Sequence, residues 1–410
     1  MNYDLVFEGG GAKGMVFVGA METFKEEGHT FGRLLGTSAG AITATLLAAG
    51  YSHQEMLDAL AEQVNGKSVF STFMSNPKEL NLDAYQHSDL GMLLLSLDVP
   101  YLPVFIEKWL DKAIFSMLTK SKFGPNLYSL LELGGWFTAE FFLDWLKRKL
   151  DEGNYNDVPR NFSKMTLGEF YNATKTDLSL VASNTSAHQI LVLNNRTAPD
   201  CPVVWAVRMS MSIPMVWPEV IWQPEWGTYQ GIKIDGDAVV DGGLLSNFPI
   251  ELFISQDKDV QELMGTPEKD TAVLGLLIDE TRPVKEEGES TQPKNRLLSV
   301  TDVLLVKRLL NIVDTVTQAH DKMVIDANQN LVVRLPAAGY GTTEFDMSDQ
   351  KRNALVDAGK QTMREFFSAQ PLTEESIPEV SFGIRGVIPS AKTPPGTDRI
   401  ASNLLKFKKP

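Results

Sequence analysis

The chain of 410 residues is 43% hydrophobic, enough to bury a large core in one large domain or in roughly two to three smaller ones. Its 38 lysines and arginines stand against 52 aspartates and glutamates, so the formal net charge is −14. This charge argues against general affinity for nucleic acid or for anionic bilayers. The single cysteine, Cys201, excludes an intrachain disulfide framework and fits a reducing compartment.

The N-terminus carries no recognisable secretion signal. Residues 1–7 lack the basic start and long apolar core of such a signal, and they lead straight into an apolar run typical of a strand. No run of the sequence approaches the ~18 uncharged apolar residues of a membrane span. We therefore expect a cytoplasmic protein, and transient contact with a membrane surface stays open.

Two strand–loop–helix units follow each other within the first 50 residues. Residues 3–8 predict a strand, Gly9 to Gly14 a glycine loop, and residues 15–25 a helix with apolar side chains at helical spacing. A second strand around 33–35 leads through the GTSAG sequence at 36–40 into a helix that ends near Gly50. These units predict adjacent strands of a parallel sheet, whose carboxyl ends are where such sheets bind ligands.

The region from about 65 to 165 has a different pattern. Helical segments rich in large apolar residues, at 90–97, 104–118 and 137–150, are separated by prolines and glycines. We expect a helical insertion or lid over the sheet. Its apolar side chains either pack in the core or form a lip that admits acyl chains or touches a membrane.

Further elements follow in the second half of the chain. We expect a polar loop at 281–295, helices at 303–320 and 351–367, and a proline-rich, partly basic tail at 368–410. Val239 and Val240 lead into Asp241, Gly242 and Gly243, which places an aspartate at the end of a short apolar run. Other strands are predicted at 178–183, 189–193, 202–207 and 272–278.

The GTSAG sequence is a GxSxG motif centred on Ser38. Gly36 and Gly40 allow the backbone to turn sharply from strand to helix, which leaves the Ser38 hydroxyl exposed at the turn. A serine in this position is a candidate nucleophile. It needs a base within hydrogen-bond reach and donors for the oxyanion that forms on the attacked carbonyl.

The glycine loop supplies candidate donors. Successive glycines from Gly9 to Gly14 can turn their amides to one side and form an anion-binding nest at the start of a helix. Gly9, Gly11 and Gly14 also match GxGxxG, so a Rossmann-like nucleotide-binding protein is an alternative. That fingerprint expects an acidic residue ~20 positions further on, but the next strand ends at Ser38.

The base is either a histidine or an aspartate. The familiar hydrolase order would be Ser38, Asp241 and His320, but His320 lies in a charged helical stretch without loop signals. The other interpretation makes Asp241 itself the base, provided that burial raises its proton affinity. A Ser-Asp dyad suits esters better than peptides, because an alkoxide departs more readily than an amide nitrogen. The remaining histidines are His29, His53, His87 and His188.

Taken together, GGGAKG at 9–14, GTSAG at 36–40 and DGG at 241–243 resemble the patatin-like phospholipases, lipid acyl hydrolases with a Ser-Asp dyad. The segments 208–214 and 247–249 are similar to further motifs of that family, although 209–214 has methionines and Ser212 where alanines are common. The resemblance covers about residues 3 to 365. It implies a three-layer α/β/α fold with a mainly parallel sheet, in a domain of residues 1–367 that carries the 65–165 insertion.

The resemblance also implies roles for individual residues. Ser38 would be the nucleophile, Asp241 the proton acceptor, and the amides of Gly10, Gly11 and Ala12 the oxyanion hole. Lys13 would position the glycine loop or bind an anionic head group. The substrate would be an ester of a phospholipid or related lipid, and a non-catalytic lipid-binding protein stays open as an alternative. The sequence has no metal-ligand cluster and no calcium loop, so we expect no cofactor and activity that survives chelation.

Overall fold

The computed structural model describes residues 1–78, 88, 92, 124–284 and 324–369. Twelve strands lie in this part of the chain. In order they are β1 (Asn2–Phe7), β2 (Thr30–Thr37), β3 (Gln63–Val64), β4 (Lys67–Ser68), β5 (Asn154–Tyr155), β6 (Val158–Pro159), β7 (Leu178–Asn184), β8 (Gln189–Leu193), β9 (Val220–Ile221), β10 (Ala238–Asp241), β11 (Thr271–Pro283) and β12 (Val332–Ala338).

Helices connect and cover these strands. Within the described ranges the α-helices are α1 (Val16–Glu26), α2 (Ala39–Ala48), α3 (His53–Ala61), α4 (Gly124–Leu133), α5 (Glu140–Asp151), α6 (Leu167–Thr174), α7 (Val203–Ser210), α8 (Glu251–Ile254), α9 (Lys258–Met264) and α10 (Asp349–Ala369). A 3₁₀ turn at Gly11–Met15 precedes α1. None of the helices in residues 1–78, 124–284 and 324–369 combines the length and apolarity needed to cross a bilayer.

One eight-stranded sheet organises the fold. Its order is β12-β11-β1-β2-β7-β10-β9, and β8 pairs with β7 outside this path. The four pairs from β12 to β7 are parallel, whereas β10 and β8 run antiparallel to β7. The predicted neighbours β1 and β2 therefore lie side by side, and the sheet is mainly parallel as predicted.

Alternating side chains of the strands point to two separate apolar layers. Leu5 and Phe7 of β1 pack into the larger cluster with α1, α2, α5 and α7. Val6, between them in sequence, packs into a smaller cluster on the opposite face with α8 and α9. A sheet buried on both faces needs such near-continuous apolar strands. The arrangement confirms the predicted three-layer α/β/α architecture.

Three details of the predicted strands were wrong or incomplete. Residues 202–207, predicted as a strand, form most of helix α7, because a short apolar run does not distinguish a buried strand from a buried helix turn. Strand β11 continues to Pro283, into the start of the predicted 281–295 loop. Strand β12 was not predicted. It contains Pro336, which is tolerated because β12 is an edge strand of the sheet in the described residues.

The described part of the 65–165 region packs against the main core. Phe142, Trp145 and Leu146 of α5 are buried there, and Phe73 packs edge-on against Phe142. Helix α10 agrees with the helix predicted at 351–367. The predicted helices at 90–97, 104–118 and 303–320 lie outside the described residues, apart from Met92, as does the 368–410 tail beyond residue 369.

Candidate active site

Strand β7 brings the two distant motifs together. Strand β8 pairs along one edge of β7, so β2 and β10 share the other edge. Thr37, the last residue of β2, pairs with Val181, and Asp241, the last residue of β10, pairs with Ala182. Because β2 is parallel and β10 antiparallel to β7, their carboxyl ends meet at these two adjacent positions. The sheet therefore holds Ser38 and Asp241 beside each other although 203 residues separate them.

Ser38 occupies a strained turn between β2 and α2. Its backbone has φ 51° and ψ −118°, a conformation that side-chain-bearing residues rarely adopt. Such a residue costs about 1–3 kcal/mol and persists only where the surroundings impose it. Here the Ser38 N–H donates to Ser210 Oγ at 3.0 Å, and Ser210 Oγ donates to the Val181 carbonyl at 2.6 Å. The turn is thus tied to β7 through α7.

The motif glycines allow close packing around this turn. A Cβ on Gly36 would lie 2.3 Å from the Gly40 carbonyl oxygen, and a Cβ on Gly40 would lie 2.3 Å from the Phe7 carbonyl oxygen. Similarly, a Cβ on Gly242 would lie 2.4 Å from the Val181 carbonyl oxygen. Backbone atoms cannot yield as a flexible side chain can. These glycines are required because the strand ends and α2 pack without room for side chains.

We expect Gly40→Ala to destabilise the whole fold. The added methyl group would overlap the ends of β1, at a cost of about 1–3 kcal/mol typical of overpacking. Thermal unfolding should show a clearly lowered Tm. Gly28→Ala is the control, because no atom lies within 4 Å of its added Cβ and only its positive φ opposes the change. A Tm for Gly40→Ala equal to or above that of Gly28→Ala would contradict this close packing.

Asp241 is buried and its environment favours the protonated form. Burial raises the pKa of this carboxyl group to about 7, although hydrogen bonding from Ser38 and from the Gly243 amide lowers it in part. The Gly243 N–H donates to Asp241 Oδ1 at 2.8 Å. Asp241 Oδ2 is fully buried and receives no hydrogen bond of normal length and angle from the described residues. The Ser38 hydroxyl is thus close enough to lower the pKa of Asp241 in part, although its hydrogen bond to the carboxylate is not well formed. Asp241 Oδ2 can therefore still accept a proton.

The glycine loop lies on the other side of Ser38. A Cβ on Gly9 would lie 3.1 Å from Ser38 Cβ and 2.1 Å from Asn247 Oδ1. The Gly9 N–H donates to the Asn247 carbonyl at 3.0 Å, and Asn247 Nδ2 donates to the Gly9 carbonyl at 2.9 Å. The DGG motif and the glycine loop are therefore joined through Asn247, close to the hydroxyl of Ser38.

Of the three amides predicted to bind an oxyanion, one has a protein acceptor. The Ala12 N–H donates to the Thr342 carbonyl at 2.9 Å. Gly11 has φ +54°, and a Cβ there would lie 2.1 Å from the same carbonyl oxygen. The amides of Gly10 and Gly11 have no such acceptor among the described residues. Gly10 and Gly11 therefore carry the predicted donors that have no protein acceptor in the described part of the chain.

Lys13 is buried beneath the loop, and Gly14 packs directly on α2. The ammonium of Lys13 pairs with Glu280, near the end of β11, and only 3% of Lys13 is exposed. Of its two predicted roles, this contact favours positioning of the glycine loop over binding of a head group. A Cβ on Gly14 would lie 2.6 Å from Ala39 Cβ, so this glycine allows the 3₁₀ turn before α1 to approach the start of α2 next to Ser38.

No histidine of the described residues lines the space in front of Ser38. His29 packs against Phe367, His53 pairs with Glu22, and His188 lies in the β7–β8 turn. His87 and His320 lie outside the described residues. The described structure therefore offers Asp241, and no histidine, as a base for Ser38.

A cavity lies beside Ser38. Its empty volume, including the open mouth, is about 690 Å³, and Gly11, Ser38 and Ala39 line one end. From there it runs among α1, α2, α3 and α5. None of the described lining residues is charged. The cavity thus joins a candidate nucleophile to an apolar space.

Three residues of this site were not predicted from the sequence. Ser210 supports the Ser38 turn, the Thr342 carbonyl binds the Ala12 amide, and Phe345 lines the cavity against Phe73 and Trp217. The small residues at the end of α7 gave a signal for Ser210. Thr342 and Phe345 follow β12, and nothing in their local sequence indicates a site.

Known proteins resemble this chain in sequence. The model of the family described as patatin-like phospholipase matches residues 5–254. YqhO of Bacillus subtilis (strain 168), described as an uncharacterized protein, is 28% identical over 373 residues, covering 89% of this chain and 98% of YqhO. The probable lipid hydrolase 463L of Invertebrate iridescent virus 6 is 21% identical over 250 residues, covering 61% of this chain and 62% of 463L.

Solved structures show a weaker likeness. VipD of Legionella pneumophila has a TM-score of 0.42 and 17% identity, covering 90% of this chain and 67% of VipD. The ExoU–SpcU complex of the Pseudomonas aeruginosa type III secretion system has a TM-score of 0.36 and 18% identity. That match covers 89% of this chain, which spans about half, 51%, of the matched chain.

Proposed function

Because the chain belongs to the patatin-like phospholipase family, we propose that it is a serine acyl hydrolase that cleaves ester bonds of phospholipids or related lipids. The observation that carries the proposal is the pairing of Ser38, in a strained turn beside an apolar cavity, with a buried Asp241 whose pKa is raised to about 7. Family membership leaves the nucleotide-binding alternative without support.

In the first half of the reaction, Ser38 Oγ attacks the ester carbonyl carbon and its proton passes to the Asp241 carboxylate. The amides of Gly10 and Gly11 donate to the oxyanion, a type of contact typically worth ~2.7–4 kcal/mol per donor. The tetrahedral intermediate then expels the alcohol, which takes the proton from Asp241. An acyl ester on Ser38 remains.

In the second half, water attacks the acyl ester and Asp241 accepts the proton of that water. Collapse of the second tetrahedral intermediate returns the proton to Ser38 Oγ and releases the carboxylic acid. A base with a pKa near 7 suits both halves, because about half of it is ionised at neutral pH and it still holds a proton well enough to return it.

The proposal is tested by following ester cleavage and covalent labelling together. We expect the purified protein to hydrolyse a soluble p-nitrophenyl ester and to release fatty acid from phospholipid vesicles, as detected by lipid mass spectrometry. A fluorophosphonate should add one mass label to the peptide that contains Ser38 and stop both reactions. Lipid association without cleavage of any ester, and without labelling of Ser38, would instead identify a non-catalytic lipid-binding protein.

The raised pKa of Asp241 also predicts the pH dependence of turnover. Only the ionised carboxylate can accept the Ser38 proton, so kcat/KM should fall about tenfold per pH unit below 7 and level off above it. The check is a pH profile on a soluble ester between pH 5 and 9, with circular dichroism confirming the fold at each pH. A profile that stays flat down to pH 5 would contradict the buried environment of this base.

A further inference from the structure

The cavity follows one face of α2 away from Ser38. Ala39, Ile42, Thr43 and Leu46 line it, at the spacing that places side chains on the same side of a helix. Helices α1 and α2 both leave the carboxyl edge of the sheet, so the later positions of each lie further from Ser38. Leu46 therefore marks a deep part of the cavity.

Helix α3 closes the deep end. It begins within a few residues of the end of α2, and His53 at its start pairs with Glu22 in the second half of α1. Met56, one turn into α3, lines the cavity and is 3% exposed. Ala59 follows one turn later, lines the cavity as well and is 2% exposed. Leu46 and Met56 thus form the floor, and Ala59 lies on the wall.

The walls offer almost nothing to a polar ligand. The Thr43 hydroxyl donates to the Ala39 carbonyl at 3.1 Å, and the Trp217 indole N–H donates to the Phe73 carbonyl at 2.9 Å. Trp145 Nε1 has no hydrogen bond within the described residues, but the atom itself is buried. Aside from Ser38, the polar side chains on the described wall are thus satisfied or inaccessible, and the space suits a hydrocarbon chain.

The length of the cavity sets the length of that chain. Leu46 is eight residues beyond Ser38, which corresponds to about 12 Å along the axis of α2. An extended chain advances about 1.1–1.2 Å per bond, since a residue of three backbone bonds spans at most ~3.3–3.6 Å. A hydrocarbon chain attached at Ser38 therefore reaches the floor after about ten carbons.

We propose that this cavity binds the acyl chain of the substrate and that Met56 and Ala59 determine the preferred chain length, about ten carbons. This inference rests on the proposed function, since the carbonyl carbon of the chain must lie at Ser38. It assigns the acyl chain to the buried cavity, so the alcohol part of the ester lies outside that cavity.

The test is a series of p-nitrophenyl esters with acyl chains of two to sixteen carbons. For the wild type, kcat/KM should rise about fourfold with each added methylene, because burial of one CH₂ contributes about 0.8 kcal/mol. The rise should stop near ten carbons. Ala59→Phe should lower kcat/KM for esters of eight or more carbons at least about tenfold more than it lowers kcat/KM for two- and four-carbon esters. Met56→Ala should move the optimum to longer chains by two to three carbons, roughly the length of side chain removed.

Two variants serve as matched controls. Ala61→Phe makes the same change at an exposed position of α3, and Met21→Ala removes a buried methionine of α1 that does not line the cavity. Both should keep the wild-type chain-length profile. If all variants share one profile, or if the controls shift it equally, the cavity does not select the acyl chain.

Binding of free fatty acids separates this inference from the proposed function. In a Ser38→Ala background, displacement of a fluorescent fatty acid should give the same dependence on chain length and the same shifts for Ala59→Phe and Met56→Ala. Shifted binding without ester cleavage by the Ser38-containing protein would overturn the proposed function and retain the cavity assignment. Ester cleavage in which neither the binding nor the kinetics shift in these variants would retain the proposed function and overturn the cavity assignment.

Discussion

Ser38→Ala should lose ester turnover by about 10⁴-fold or more while the protein stays folded. Removing the nucleophile of a serine hydrolase leaves only the contribution of oxyanion donors and substrate binding. The substitution keeps the backbone N–H that donates to Ser210, so the support of the turn remains. Initial rates on a soluble p-nitrophenyl ester measure the loss, and thermal unfolding checks the fold.

A matched serine excludes a general effect of the substitution. Ser163 bonds Asp151 and does not line the cavity, so Ser163→Ala should keep wild-type turnover. The mechanism would be refuted by a folded Ser38→Ala variant with wild-type rates. If Ser38→Ala loses both activity and the folded state, fluorophosphonate labelling of the wild type decides the role of Ser38, because it identifies the reacting side chain directly.

Asp241→Asn should abolish most turnover and yet stabilise the protein at neutral and alkaline pH. An amide cannot accept the Ser38 proton, and a general base contributes typically about 10²–10⁴-fold. The amide oxygen can still accept the Gly243 N–H. Unlike the carboxylate, the amide carries no charge that burial would penalise.

The sign of the stability effect follows from the pKa. In the folded protein the pKa of Asp241 is raised from 3.8 to about 7, so the unfolded chain loses this proton at lower pH than the folded one. Stability from the protonated group is therefore complete below about pH 4 and is lost as pH rises towards 7. Three pKa units correspond to about 4 kcal/mol of the free energy of unfolding. The wild type has lost this stability at pH 8, whereas Asp241→Asn, which cannot ionise, would keep it.

Denaturant unfolding at two pH values measures this effect. The stability advantage of Asp241→Asn over the wild type should be greater at pH 8 than at pH 5 by on the order of 2 kcal/mol, since about half of the loss occurs above pH 5. Asp237→Asn is the control variant, because it makes the same change at a half-buried aspartate that lies shortly before β10. An advantage for Asp241→Asn that does not depend on pH would show that the folded protein does not raise this pKa.

Local patterns were sufficient to predict the strands and helices around Ser38. Strand β1, the glycine loop, α1, β2 and α2 are consecutive, and each has a clear period or turn residue. The position of Asp241 beside Ser38 was a different kind of prediction, since it came from the resemblance of three motifs. Its physical basis, the shared edge of β7, depends on strand pairing across about 200 residues, which periodicity cannot reveal.

Other features depended on tertiary contacts that have no local signal. The apolar run at 202–207 forms α7 because its buried face continues through Val207 to Ser210. Thr342 acts through its carbonyl group, which every residue has, so its side chain gives no indication of the contact with Ala12. Phe345 is an ordinary core aromatic in sequence terms. Only the contact of its segment with the glycine loop and its own packing against Phe73 and Trp217 make it part of the cavity wall.

Residues that contact or adjoin the glycine loop lie outside the family-matched range of residues 5–254. Thr342 and Glu280 contact the loop itself, and the Ile278 N–H donates to Glu8, the residue before the loop. All three lie beyond residue 254, where the match ends. Strand β11, on the outer edge of β1, lies beyond it as well. A chain cut at residue 254 would expose the backbone edge of β1, most of whose residues are buried, as a site for aggregation. Shortened forms for crystallisation or directed evolution should therefore keep the sequence through Ala369.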